Sequence, residues 1–277
     1  MLVRLFGKGA VCPRRIMSLY DTCGSSYNTT RAADERIVDA LVGLLNLPED
    51  AVVADIGAGS GNYSRALAAR GYHIMAIEPS ETMRRLAVPS PRVAWFTGSA
   101  ERIPLADAAT DGVICTLALH HFQDLYLALS EMARIAPLGP IVIFTCDPRA
   151  SREIWIADYF PTVWSDAFRI FPPVRDLARL LEAASGRAVD IVPFRLPHDL
   201  KDNFAAAGWR TPERYLEKGY RENMSAFQVA DPEAVTKGVA RLASDLADGT
   251  WQSRYGKTLL WDEIDAGYFF LRVAPAR

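Results

Sequence analysis

A chain of 277 residues, half of them hydrophobic and 23% charged, with 18 glycines and 17 prolines, has ordinary globular usage and excludes collagen-like, low-complexity and disordered readings. Its 31 basic and 33 acidic residues leave a formal charge of −2, without the cationic excess that neutralising a nucleic-acid backbone demands, so nucleic acid is not an expected partner. The longest charge-free stretches, Gly112 to Gln123 and Ile135 to Cys146, run 12 residues each, short of the roughly 20 that a membrane-spanning helix needs.

Residues 1–16 carry Arg4, Lys8, Arg14 and Arg15 with no acid, and Arg4 interrupts the only apolar run, so they are expected to be an extension before a domain over 17–277. Four cysteines (Cys12, Cys23, Cys115 and Cys146) lack Cys-x-x-Cys spacing and histidine clusters. That pattern suggests neither a metal site nor a disulfide framework and fits the reduced cytoplasm. From Ala32 to Leu47, Ile37, Leu41, Leu44 and Leu45 recur at helical spacing until Pro48-Glu49-Asp50 stops them. There follow an apolar run ending at Asp55-Ile-Gly57, a glycine-rich turn, a helical Tyr63 to Arg70, the strand-like Ile74 to Ile77, and a polar helix start at Ser80.

The alternation continues through Val93 to Thr97, Gly112 to Leu117, a helix burying Phe122, Leu125, Leu129 and Met132, and Ile141 to Thr145. Continuous apolar strands between amphipathic helices imply an α/β fold, a doubly wound and mostly parallel sheet covered on both faces. Beyond Asp147 aromatic helical segments set in (Trp155, Tyr159, Phe160, Trp164, Phe168, Phe171), then a helix at Pro173 to Ala184 and a strand at Val189 to Phe194. A helical stretch from Asp199 to Arg254 precedes Gly267 to Val273, read as a return to the sheet edge. Helical cap insertions are therefore expected at about 148–188 and about 197–262.

The segment Asp55-Ile-Gly57-Ala-Gly59-Ser-Gly61-Asn62 lies between a strand and a helix, where bare backbone lets a ligand approach the carboxyl edge of the sheet. A dinucleotide fingerprint would place a third glycine where Asn62 stands, which argues against a nicotinamide-dependent dehydrogenase. Glu78 lies 21 residues beyond Gly57 at the tip of the second strand, positioned to accept from ribose hydroxyls.

With this spacing the chain resembles the class I S-adenosylmethionine-dependent methyltransferases, in particular the small-molecule branch that includes quinone-biosynthesis enzymes. Two later segments extend the likeness, which runs roughly from Ser18 to Cys146: Gly98-Ser-Ala-Glu101-Arg-Ile-Pro104-Leu, and Leu119-His-His-Phe122 ahead of Glu131-Met-Ala-Arg134. The resemblance implies a Rossmann-like methyltransferase fold, S-adenosylmethionine as cofactor and a small-molecule methyl acceptor. It implies that Asp55, Gly57, Gly59 and Gly61 shape the methionine and ribose pocket, that Glu78 takes the ribose, and that Ser99, Ala100, Glu101 and Leu117 contact the cofactor. It further places Tyr20, Tyr27 and Arg31 in an N-terminal segment folded over the cofactor, Arg31 facing the methionine carboxylate.

Ser99 stands where such proteins often carry an Asp toward adenine, exchanging a charge-assisted hydrogen bond of about 1.5–3 kcal/mol for a neutral one of about 0.5–1.5. Pro137-Leu-Gly139-Pro140 departs from the family's usual turn before the fifth strand. His121 and Asp147 follow the fourth and fifth strands, so they are expected either to form a base and its orienting acid or to serve packing and helix starts. The aromatics from Trp155 to Phe171 either fill a core or shape an acceptor pocket, with Arg195 or His198 as polar anchors. A protein that binds the cofactor without transferring its methyl group is the remaining alternative.

Overall fold

The computed structural model describes residues 31–151, 153–222 and 224–276; Tyr20, Tyr27 and the expected extension lie outside them. Asp34 begins helix α1 (Glu35–Leu45) by accepting from the Arg36 N–H at 3.0 Å, and Asn46 closes it in the left-handed region at φ 48°. Strand β1 (Val52–Ile56) leads through the glycine turn into α2 (Asn62–Ala69), then β2 (His73–Ile77), α3 (Glu81–Arg85), β3 (Val93–Phe96) and β4 (Gly112–Thr116). A 3₁₀ turn over Leu119–His121 precedes α4 (Leu125–Ile135), whose first turn is capped by Asp124 accepting from Leu127 N–H at 3.0 Å, and β5 (Ile141–Cys146) follows.

Among the described residues the strands make a seven-stranded sheet in the order β3-β2-β1-β4-β5-β7-β6. β1 to β5 pair in parallel, while β7 (Glu263–Val273) runs antiparallel between β5 and β6 (Val189–Pro197). The expected return of the C-terminal strand to the sheet edge is thus corrected: β7 is an interior strand and β6 takes the edge.

Side chains of β1 alternate between two cores, as a strand buried on both faces requires. Val53 joins Ile37, Leu41 and Leu67 beneath α1 and α2, whereas Ala54 and Ile56 join Leu129 and Met132 of α4. The second core also contains Leu177, Ala178 and Leu181 of α7 (Val174–Ser185). That helix therefore covers the sheet and is not part of a cap, so the first insertion is shorter than the expected 148–188. The cap itself is α5 (Ile156–Tyr159) and α6 (Pro161–Ile170) packed with four later helices: α8 (Lys218–Glu222), α9 (Ser225–Val229), α10 (Pro232–Ala247) and α11 (Thr250–Tyr255). Its own core of Trp155, Tyr159, Phe160, Tyr215, Phe227 and Trp251 absorbs the first aromatics of the 155–171 run. Among the described residues, no helix is long and apolar enough to cross a membrane and no cluster of three or more His, Cys, Asp or Glu could hold a metal.

Candidate functional site

Connections from β1 run to β2 on one side and β4 lies on the other, so the carboxyl ends of β1 and β4 border the crevice of a topological switch point. A cleft of about 870 Å³ opens there. Its floor is the turn from Gly57 to Ser60, held against the sheet by Gly57 N–H and Ala58 N–H donating to the Ile77 carbonyl at 2.9 and 3.1 Å. Gly57 has φ 73°, and a Cβ there would lie 2.6 Å from Ala118 Cβ, so only glycine fits.

Glu78 projects from the end of β2 into the cleft and is 7% exposed. Its two oxygens accept from Gly59 N–H and Ser80 N–H, both at 2.9 Å. Burial raises its carboxyl above the usual range, and those two backbone donors oppose the rise. Ser99, Ala100 and Glu101 form another wall. The Glu131–Arg134 pair fixes the segment that carries them: Glu131 accepts from Ile103 N–H at 3.0 Å, and the Arg134 guanidinium donates to the carbonyls of Ile103 and Leu105 at 3.1 and 2.9 Å. Glu101 in turn accepts from Gln123 N–H at 2.6 Å, tying that wall to the start of α4.

Among the described residues, two of those expected to contact the cofactor do not line the cleft. Asp55, 1% exposed, sits behind the turn and accepts from the Ser64 hydroxyl at 2.6 Å. Burial and the nearby Glu78 charge push its carboxyl up to about 7, against the Ser64 hydrogen bond. Gly61, at φ 77°, packs on Trp95: a Cβ there would come within 2.7 Å of the indole. Both residues build the turn and leave the cleft floor to Gly57, Ala58, Gly59 and Ser60.

The expected His121–Asp147 pair is not formed. His121 lines the cleft, but Asp147 lies outside it, where its carboxylate accepts from Val174 N–H and Arg149 N–H, each at 3.0 Å, starting α7 and a turn of the cap. Burial, assisted by the Arg31 charge, drives the His121 imidazole down to about 3, which leaves it neutral and weakly basic at physiological pH. Arg195 and His198 are surface residues, the first paired with Glu153 and Glu263, the second beside the Asp262 carbonyl, and neither lines this cleft.

A second cavity of about 60 Å³ adjoins the cleft, and Arg31 and Leu117 line both. Leu117 adopts φ 54°, a conformation costly for a branched side chain, at the hinge between them. Trp164 and Phe171 of the aromatic run contribute to this cavity, together with Phe204, Tyr268, His120 and Cys146.

Several lining residues were not expected at the site: Thr116, whose buried Oγ1 lacks a partner, and Asn62, Tyr63, Phe122 and Asp202. Asp202, 1% exposed, receives Arg31 Nε, Arg31 Nη2 at 3.4 Å and the Tyr63 hydroxyl at 3.0 Å. The Asn62 amide donates to the Arg31 carbonyl, so the residue that occupies the third glycine position of a dinucleotide fingerprint anchors Arg31 instead.

The arrangement suits an adenosyl sulfonium. Bare backbone and Glu78 border the cleft, Thr116 offers an uncommitted hydroxyl, and among the described residues the acids Glu78, Glu81, Glu101, Asp124 and Asp202 line it with one arginine. Comparison with known proteins agrees. A family model described as a methyltransferase domain matches residues 54–144. A crystal structure described as a methyltransferase from an antibiotic biosynthesis pathway of Anabaena variabilis is 48% identical, with a TM-score of 0.86 over 89% of this chain and 100% of that one. An uncharacterized methyltransferase of Mycobacterium tuberculosis is 30% identical over 182 residues, 62% of this chain and 68% of the relative. A ubiquinone/menaquinone biosynthesis C-methyltransferase of Rubrivivax gelatinosus is 27% identical over 160 residues, 50% of this chain and 63% of that protein.

Proposed function

We propose that this chain, which belongs to the class I S-adenosylmethionine-dependent methyltransferases, methylates a small organic acceptor whose reacting end enters the 60 Å³ cavity beside the cofactor cleft. The cofactor, S-adenosylmethionine, supplies an electrophilic methyl group on a cationic sulfur. Glu78 would accept from the ribose hydroxyls with the lone pairs that Gly59 and Ser80 leave free, while the Gly57–Ser60 backbone borders the sugar and methionine portion. Ser99 and Ala100 would border the adenine, and Arg31, on the cleft wall, would face the methionine carboxylate.

Displacement at a methyl carbon asks chiefly for alignment, and positioning of this kind supplies roughly 7–11 kcal/mol of the barrier. The observation that carries the reading is the wall of Arg31 and Leu117 shared by the two cavities, which supports an approach of acceptor to methyl across it. His121 is held too weakly basic to be given the removal of an acceptor proton, so the acceptor is taken to arrive ready to react. Cys115 and Cys146 are free thiols, which supports a cytoplasmic setting, and the charge of −2 supports a small molecule over a nucleic acid as partner. Incubating the protein with methyl-labelled S-adenosylmethionine and a metabolite extract should place label on a small molecule. Cofactor binding with no label transferred would refute methylation and leave a binding protein.

A further inference from the structure

The turn that follows β5 holds one face of the cap in place. Trp164, Ala167 and Phe171 recur at helical spacing along α6 and its C-cap, and all three line the small cavity together with Pro148. Three hydrogen bonds run between this helix and the turn: Trp164 Nε1 donates to the Pro148 carbonyl at 3.3 Å, Arg149 Nη1 donates to the Phe171 carbonyl at 2.8 Å, and Arg149 Nη2 donates to the Phe168 carbonyl. The end of a helix leaves such carbonyls without partners of its own, and its dipole favours a cation there. The guanidinium also stands 5.0 Å from the centre of the Phe168 ring. Asp147 fixes the arginine in turn, accepting from Arg149 N–H at 3.0 Å and from Nη1 at 3.4 Å, while its other oxygen accepts from Val174 N–H at 3.0 Å and its own N–H donates to the Gly267 carbonyl at 2.8 Å. The sheet, α6 and α7 thus meet at one turn. Across the cavity the Phe171 ring lies 4.8 Å from the His120 ring, so the helix end that Arg149 grips carries a side chain reaching the wall that follows β4.

We propose that Arg149 is a positioning residue for the methyl acceptor: by clasping the end of α6 it keeps Phe171 in the wall of the small cavity and so sets the bore into which the acceptor fits. The inference rests on the reading above that the acceptor enters this cavity. Arg149 lines neither the cavity nor the cofactor cleft, so it acts through Phe171 and touches neither reactant. A planar guanidinium fork holds two carbonyls at once, whereas lysine brings a single ammonium and methionine no donor, so the clasp loosens in that order. The freed carbonyls lie at the surface, where water takes the place of the lost donor. Loosening therefore moves a wall of the acceptor cavity and leaves the Gly57–Ser60 floor of the cofactor cleft in place.

Wild type and Arg149→Met, each given methyl-labelled S-adenosylmethionine and a dilution series of metabolite extract, test the clasp, and calorimetric titration with S-adenosylhomocysteine reads the cofactor site of the same samples. The amount of extract that gives half-maximal labelling should rise by about tenfold in the variant, while the Kd for S-adenosylhomocysteine stays within about twofold. Arg149→Lys should fall between the two. Neither quantity depends on the fraction folded, so a partly unfolded sample still reports. In a Phe171→Ala background the same Arg149→Met change should raise the half-saturating amount by no more than about twofold, because the group through which it acts is gone. A half-saturating amount unchanged in Arg149→Met, or raised equally with and without Phe171, overturns the proposal, and so does an equal weakening of S-adenosylhomocysteine binding. A wild type that binds S-adenosylhomocysteine but labels nothing at any dilution refutes methyl transfer itself, and this inference falls with it.

Discussion

Replacing Glu78 by Gln keeps the side chain's volume and removes its charge, which isolates what the carboxylate contributes to holding the cofactor. In the wild type both oxygens already accept a backbone N–H, from Gly59 and from Ser80, each at 2.9 Å. A Gln amide has one acceptor, so one of these donors faces an NH₂ group, a buried mismatch that costs about 1–3 kcal/mol and loosens the turn. On the ligand side, hydrogen bonds from the ribose hydroxyls fall from the charge-assisted range of about 1.5–3 kcal/mol to the neutral range of about 0.5–1.5. The mismatch is present with and without ligand and reads as lost stability, so it is the weakening of the ribose hydrogen bonds, about 1–1.5 kcal/mol for each of two, that lowers binding by about 2–3 kcal/mol, or about 30- to 150-fold in Kd. Calorimetric titration with S-adenosylhomocysteine, run well below the melting temperature of both proteins, reads the difference. Wild-type affinity should also decline as acid protonates Glu78, whose carboxyl burial raises, and the variant should lack that decline. A variant Kd within about threefold of the wild type would remove Glu78 from the ribose.

Asp55 has a folded carboxyl pushed up to about 7 from an ordinary 3.8, so its contribution to stability is full below the lower value and is lost as pH rises through the upper one. Melting curves of Asp55→Asn should therefore gain on those of the wild type as pH rises from about 4 to about 7, and parallel curves would contradict the burial argument. Gly61→Ala should lower stability by about 1–3 kcal/mol, because it forces a left-handed backbone on alanine and drives a methyl toward the Trp95 ring, and an unshifted denaturation midpoint would exclude that clash. Asp147→Ala should cost about 0.5–2 kcal/mol through the lost cap at Val174 and leave the pH profile of turnover unmoved. With an acceptor in hand, His121→Gln should keep turnover within about tenfold, since a working base contributes about 10²–10⁴, and a larger loss would restore His121 as the base.

The glycine turn and Glu78 were legible in the sequence because their chemistry is local: a strand, a run of residues able to take positive φ, and an acid at the next strand's tip. Residue type alone does not separate a glycine that faces ligand from one that faces a neighbouring ring, which is why Gly57 lines the cleft and Gly61 packs on Trp95. The apolar pattern of Gly267 to Val273 marks a strand but says nothing of its neighbours, so its place between β5 and β6 comes only from the sheet. Likewise the stripe of Leu177, Ala178 and Leu181 marks a helix without saying whether sheet or cap lies beneath it. Asp202 left no signal: it stands in an irregular loop and meets Arg31 across 171 residues of chain, a contact that local pattern does not carry.

The interior position of β7 orders the birth of the molecule. Among the described residues β6 pairs with no strand but β7, so the edge of the sheet stays unpaired until residues 263–273 have left the ribosome. Of the described residues in the cofactor cleft wall all but one are synthesised by Leu127, whereas the small cavity waits for Ala266 and Tyr268. A nascent chain halted before β7 would thus carry most of a nucleoside berth with no enclosure for the second reactant, and would offer the bare flank of Ile141–Cys146 to the strands of other unfinished chains.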